Sequence, residues 1–197
     1  LDLMDGDVLY CVWRDITDRK QAEDEAYQLA FFDPLTGLPN RRLLHDRLQQ
    51  SMAASARSGK YRALLYLDLD HFKTLNDTHG HGLGNRLLVE MAQRLRTCVR
   101  EGDTVARLGG DEFVLLVQQL DEDLETAVAQ AGKIGDKVVA QLSRPCALGT
   151  VEYQGSASVG VSMFLGHALG TDELLKRADL AMYQAKDAGR NTVRFFD

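Results

Sequence analysis

Cysteine is scarce: Cys11, Cys98 and Cys146 are the only three in 197 residues. They are too few and too scattered for a disulfide framework, and none forms a Cys-x-x-Cys pair, so a reducing, cytoplasmic setting is expected. Proline is equally rare, with three, and there is a single tryptophan. No stretch approaches the roughly 20 uninterrupted apolar residues that a membrane-spanning helix needs. Leu1 stands where an initiator Met or a basic leader would begin, so the expectation is a piece of a longer protein without a signal peptide. Positive charge is not in excess either. Lys and Arg number 23 against 29 Asp and Glu, a net charge of −6, whereas a module for duplex nucleic acid carries a basic face. A small phosphate ligand stays open, provided local Lys or Arg and a divalent cation offset its charge.

What the chain does have is an ordinary globular balance, 45% apolar and 26% charged, enough for one domain with a little left over. Val8–Trp13 reads as a short strand, too isolated to be stable alone. Residues 15 to 31 read as a helix with few apolar positions, either a solvated linker or a helix that pairs with a second copy. Asp33-Pro34-Leu35-Thr36-Gly37-Leu38-Pro39-Asn40 is turn chemistry. Leu44, Leu48 and Met52 then mark a helix ending before Gly59. Tyr61–Asp70 alternates as a strand, with Ala63, Leu65, Leu67 and Leu69 on one side and Leu64, Tyr66, Asp68 and Asp70 on the other. Asn76–Gly84 reads as a Gly/His/Asn-rich loop, followed by a helix carrying Leu87, Leu88, Met91, Leu95 and Cys98.

Thr104–Leu108 and Glu112–Val117 read as a hairpin about Gly109-Gly110. Asp121 is placed as the cap of a helix bearing Leu124, Val128, Ile134, Val138 and Leu142. Pro145–Tyr153 leads to a strand at Ala157–Phe164. Thr171 is expected to cap a last helix, with Leu174, Ala178, Met182 and Ala185 inward and Gly189 as its stop, before a closing strand at Val193–Phe196. Helices interleaved with hairpin-connected strands predict an α+β fold with a largely antiparallel sheet.

Two acidic clusters stand out. Asp68 and Asp70 end an apolar strand, and Asp111 and Glu112 sit at a hairpin tip behind two glycines. Carboxylates at strand ends and turns can converge on one point, and such hard oxygens suit Mg²⁺. Two ions of that kind activate an attacking hydroxyl and stabilise a leaving phosphate. Gly109 and Gly110 let a phosphate or ribose approach the backbone. For a bare Gly-Gly-Asp the plainer reading is a solvated charged turn.

The surrounding blocks decide between them. Gly109-Gly110-Asp111-Glu112-Phe113, Asp33-Pro34-Leu35-Thr36-Gly37-Leu38-Pro39-Asn40-Arg41, Asp68-Leu69-Asp70-His71-Phe72-Lys73-Thr74-Leu75-Asn76-Asp77 with Gly80-His81, and Ala178–Lys186 with Gly189-Arg190-Asn191 resemble, in order, the motifs of the GGDEF domains, the diguanylate cyclases. The resemblance covers residues 33–197. It implies a palm-like nucleotide cyclase fold and condensation of two GTP into cyclic di-GMP with two pyrophosphates, across a homodimer in which each domain holds half of the active site. It implies that Asp68, Asp111 and the Leu69 carbonyl hold Mg²⁺ or Mn²⁺. Asp111 would also take the proton of the attacking hydroxyl, and Glu112 would add a metal-binding or orienting carboxylate. Phe72 and Lys73 would meet the β- and γ-phosphates, Lys186 and Arg190 would clamp phosphate, and Asn76 would contact guanine. Lys186 and Arg190 lie four apart, which puts them on one side of the last helix.

Asn85 departs from the family pattern Gly-His-x-x-Gly-Asp. A carboxylate there accepts from guanine, whereas an Asn offers one acceptor and turns its NH₂ toward a donor. Weakened GTP binding or relaxed base choice follows, unless the side chain rotates or uses water. Arg100-Glu101-Gly102-Asp103 has the spacing of the family's inhibitory product site, although an ion pair at a helix end is the usual reading of a bare Arg-x-x-Asp. His71, His79 and His81 lack a cysteine and a zinc-ligand spacing, and His81 is expected to order the loop beside guanine. Residues 1–14 resemble the end of a PAS sensor domain, with Tyr10 and Trp13 in its core, and residues 15–32 its linker helix. The alternative to a cyclase is a domain that binds GTP or cyclic di-GMP without turnover and regulates a partner domain.

Overall fold

The computed structural model describes residues 17–197; the strand read at Val8–Trp13 and the PAS-like segment lie outside the described residues. The linker is helical, α1 (Thr17–Phe31), and buries no residue. Only its end is tied down. Asn40 donates from Nδ2 to the Ala30 carbonyl at 3.0 Å, and its Oδ1 accepts from the amides of Arg42 and Leu43. One side chain thus catches the end of α1 and caps α2 (Arg41–Ser58). Gly59, in the left-handed region at φ 69°, closes α2.

Alternation along one strand sets the layers. Of β1 (Arg62–Leu69), every residue but Asp68 is buried, and its neighbours point to opposite faces. Ala63, Leu65, Leu67 and Leu69 join the core built with α4 (His81–Cys98) and α5 (Leu124–Leu142). Leu64 and Tyr66 join a second core with α2 and α6 (Thr171–Asp187). The sheet between these layers adds β2 (Thr104–Gly109), β3 (Glu112–Val117), β6 (Ala157–Phe164) and β7 (Val193–Phe195) in the order β2-β3-β1-β6-β7. Only the β6–β7 pair is parallel. β4 (Cys146–Leu148) and β5 (Val151–Tyr153) form a separate hairpin. The fold is α+β with a mostly antiparallel central sheet, as the sequence predicts. Among the described residues no helix is long and apolar enough to cross a membrane.

Four local expectations need correction. The segment read as a loop at Asn76–Gly84 is helical: α3 (Phe72–His79) runs to Gly80, whose φ of 82° breaks it from α4. One of its glycines serves packing, since a Cβ on Gly84 would collide with the Asn76 side chain. His81 therefore opens a helix and orders no loop. The cap of α5 is Asp123, accepting from Thr126 N, while Asp121 accepts from Asp123 N. Leu124 is exposed and Val128 only half-buried; Ala127 and Ala131 face the core instead. Gly170 precedes α6, and Thr171 is spent on His45 Nε2 at 3.0 Å.

Two contacts fix the layers closely. The C-terminal carbonyls of α4 and α5 abut and are capped reciprocally. Arg94 donates to the carbonyls of Gln141 and Pro145, and Lys137 Nζ donates to those of Thr97 and Cys98. Cations there offset the negative helix ends. On the other face α6 lies against the backbone of β6 at Gly160, where a Cβ would run into the Ala178 carbonyl and the Met182 amide. Gly160→Ala should therefore lower stability by about 1–3 kcal/mol, the usual cost of overpacking, read as a reduced urea midpoint; an unchanged midpoint would mean that α6 shifts at no cost.

Candidate active site

The end of β1 and the tip of the β2–β3 hairpin are neighbours because Asp68 pairs with Glu112 across the sheet. Asp68, Leu69, Phe72, Lys73, Asp111, Lys186 and Arg190 line one cleft of about 190 Å³. Lys186 Nζ lies 2.8 Å from Asp68 Oδ1. Burial pushes the Asp68 carboxyl above its ordinary range; Lys186 opposes this, and Asp111 and Asp70 add to it. Burial also pushes Asp111 up, with Glu112 adding and Lys186 and Arg107 opposing. Two partly desolvated acids that disfavour each other's charge form a site that gains from a cation. Among the described residues no group of three or more His, Cys, Asp or Glu is gathered to hold a metal. Two carboxylates with a backbone carbonyl suit Mg²⁺, which commonly takes one or two carboxylates and completes its shell with water and substrate phosphate.

The cleft floor opens on the start of α3. His71 precedes it in the left-handed conformation, φ 62°, and makes no side-chain cap. The first amides of the helix are thus left for an anion. Phe72 packs its ring in the core, so its amide is what it offers the cleft. Lys73 is exposed at the rim. Gly109 and Gly110 have positive φ and nothing within 4 Å of where a Cβ would sit, which leaves the hairpin backbone open. α6 ends at Asp187, so Arg190 is not on the helix face with Lys186; it reaches the same cleft from a left-handed turn at φ 67°.

The remaining predicted residues lie elsewhere. Glu112 accepts from the hydroxyl of buried Tyr66, whose phenol is pushed up by burial and then by Glu112 and Asp179. Asn76 is half-buried beneath Gly84, its Oδ1 without a hydrogen-bond donor among the described residues. Asn85 is exposed and lines a separate groove with Leu35, Val89 and Gly149. Arg100 and Asp103 stand at the far end of β2, about 20 Å of strand from the glycine turn at 3.3 Å per residue. They do not form an ion pair. The Asp103 carboxylate accepts from the amides of Arg100 (3.0 Å) and Gln118 (2.9 Å), which leaves the Arg100 guanidinium without a partner among the described residues.

Two functional supports escaped the sequence reading. Asp70 also borders the cleft, but its carboxylate is committed to the protein. It is 2% exposed and accepts from Ser156 Oγ, Ser158 Oγ and the Asn191 amide. Arg107 joins the opening motif to the signature turn. Its Nη1 donates to both oxygens of Asp33 at 3.0 Å, and its Nε and Nη2 donate to the Gly110 carbonyl at 3.1 and 2.7 Å. The available signal was a charged residue set among Val105, Ala106 and Leu108 in an apolar strand. Burial pushes the Asp33 carboxyl up, but hydrogen bonds from Thr36 and Arg107 outweigh it and hold it below its ordinary value.

A depressed native pKa means that the unfolded chain takes up the proton first. Asp33's contribution is complete above the ordinary Asp range, near about 4, and is lost as pH falls through the native value. Asp33→Asn should cost about 1.5–3 kcal/mol at neutral pH, the range for a hydrogen-bonded charge. Urea midpoints measured at neutral and acid pH should show this gap closing on acidification; a gap independent of pH refutes the assignment.

Comparison with known proteins agrees with this geometry. A family model described as the diguanylate cyclase, GGDEF domain, matches residues 30–192. The chain is 45% identical over 181 residues to the bifunctional diguanylate cyclase/cyclic di-GMP phosphodiesterase MucR of Pseudomonas aeruginosa, covering 92% of this chain and 26% of that protein. It is 32% identical over 196 residues to the diguanylate cyclase DgcM of Escherichia coli, covering 98% of this chain and 45% of that one. It thus spans less than half the length of either relative. Among solved structures, the isolated GGDEF domain of TpbB (YfiN) from Pseudomonas aeruginosa aligns with a TM-score of 0.78 at 36% identity, over 84% of this chain and 94% of that domain. The GGDEF domain of DgcB from Caulobacter crescentus, in complex with c-di-GMP, aligns with a TM-score of 0.75 at 27% identity, over 84% and 95% of the two chains. With the family model running from the end of α1 to the turn before β7, over the same sheet and the same cleft, the chain belongs to the GGDEF domain family of diguanylate cyclases.

Proposed function

We propose that this domain condenses two GTP into cyclic di-GMP, releasing two pyrophosphates, in a homodimer whose domains each bind one GTP. The observation that carries the reading is the meeting of Asp68 and Asp111 with Lys186 in one cleft, at the uncapped start of α3. Asp68, Asp111 and the Leu69 carbonyl would hold Mg²⁺ or Mn²⁺, which when bound polarises the α-phosphate and acidifies the attacking hydroxyl.

The protein's own groups do the rest. The amides of Phe72 and Lys73 receive the β- and γ-phosphates, and Lys73, Lys186 and Arg190 balance their charge. The 3′-oxygen of one GTP forms a bond to the α-phosphorus of the other, and the bond from that phosphorus to pyrophosphate breaks. Asp111 takes the hydroxyl proton. Gly109 and Gly110 leave room for the ribose and phosphate. Asn76 carries an oxygen without a donor, and the amino edge of guanine supplies one. One cleft holds one triphosphate, so a second copy must present the other.

Arg100 and Asp103 support a product site distant from the cleft, because the Asp103 carboxylate is fixed by backbone amides and the guanidinium stays free to meet a guanine edge or phosphate. Cyclic di-GMP bound there would restrain the domain from outside its active site.

The test is GTP with Mg²⁺ and chromatographic separation of the products. Cyclic di-GMP should form, and Asp111→Ala should reduce its rate at least about 100-fold, the scale of a lost general base. GTP bound without product favours a regulatory domain without turnover, the reading to which Asn85 lends weight. With the triphosphate in the cleft and the base reaching the groove that Asn85 lines, Asn85→Asp should tighten GTP about tenfold to a hundredfold, by restoring a charge-assisted bond of roughly 1.5–3 kcal/mol. If wild-type protein already binds GTP at low micromolar concentration and ignores ATP, Asn85 does not weaken base choice.

A further inference from the structure

The solvent face of α6 carries a pattern that the cleft does not use. Leu180 is 46% exposed and Tyr183 61%, on the side opposite Leu174, Ala178 and Met182, which are buried in the core. Lys176 lies one turn before them and Asp187 one turn after, both exposed. Neither takes part in an ion pair among the described residues. Of the acids within one turn of Lys176, Glu173 is held by Arg177 at 2.9 Å, and exposed Asp172 and Asp179 form no ion pair among the described residues. Steps of four, three and four residues place Lys176, Leu180, Tyr183 and Asp187 on one straight seam.

That seam is its own complement. Set two copies of α6 antiparallel, with a two-fold axis crossing between positions 180 and 183. Leu180 then meets Tyr183 of the other copy, and Lys176 meets Asp187, each contact occurring twice, as two-fold symmetry requires. Opposite charges bracket an apolar centre from both ends. A parallel arrangement would set Lys176 against Lys176 and Asp187 against Asp187.

We infer that this seam docks a second copy of the chain, helix against helix. Lys186, on the flank of the seam, fixes the consequence. At 1.5 Å of rise per residue the two copies of Lys186 stand about 14 Å apart along the axis, on helices roughly 8–10 Å apart. Both clefts then border a single interface, as a reaction between two half-sites needs. That consequence rests on the cyclase reading; the seam itself does not. Four residues a side fall well short of the roughly 1,200 Å² of a stable interface. The seam is therefore weak alone and acts when a tether holds two copies at about millimolar effective concentration.

Sedimentation of the 197-residue chain up to about millimolar concentration tests this. Wild type should self-associate. Lys176→Glu, which sets two repulsive pairs across the axis, should weaken association about tenfold, and Leu180→Glu should weaken it at least as much. Lys176→Glu combined with Asp187→Lys should restore the wild-type constant, since the exchange rebuilds both pairs. Unchanged melting temperatures show that the variants fold. A monomeric wild type, a Lys176→Glu that associates normally, or a double variant that is not rescued overturns the proposal. Turnover is assayed separately: association without product overturns the cyclase reading and leaves the seam, and turnover with unaltered association in Lys176→Glu does the reverse.

Discussion

One guanidinium holds the site in place. Arg107 spends its donors on two partners, the Asp33 carboxylate, 74 residues before it in the chain, and the carbonyl of Gly110, three residues after it. A turn through two glycines has little conformational preference of its own. The bridge supplies what the glycines lack, and the reach of Asp111 toward Asp68 depends on it. It also couples the signature turn to the segment that joins α1 to α2, because Asp33 simultaneously binds Thr36 through its amide and hydroxyl.

The site works against the stability of the fold. Asp68 and Asp111 are both pushed toward their neutral forms, and Lys186 compensates only one of them directly. Like charges gathered in a partly dry cleft are tolerated because two packed layers surround them. Under the proposed function a cation and a triphosphate would offset each other's charge there, so each would favour the other's binding.

Much of this was legible in the sequence where a short period governs it. The alternation from Ala63 to Leu69 divides the two cores as read, and Leu44, Leu48 and Met52 face inward at helical spacing. Composition misled where glycine has more than one use. Gly80, Gly82 and Gly84 look like a loop, yet one breaks two helices and another makes room for Asn76. Contacts between distant segments were not readable. Nothing local distinguishes Asp70, locked by Ser156 and Ser158, from Asp68 two residues earlier, which pairs with Lys186 instead. The bond between Asp33 and Arg107 was hidden for the same reason: each residue looks ordinary until the fold brings them together.

The buried carboxylate of Asp70 also bears on how a ligand comes and goes. It fastens the end of β1 to β6 and, through the Asn191 amide, to the turn that carries Arg190. The turn that carries Arg190 is therefore rooted in the same hydrogen-bonded knot as the end of β1. Under the proposed function a nucleotide would come and go over the glycine rim, where the backbone stands bare, so the doorway and the signature turn would be the same few atoms.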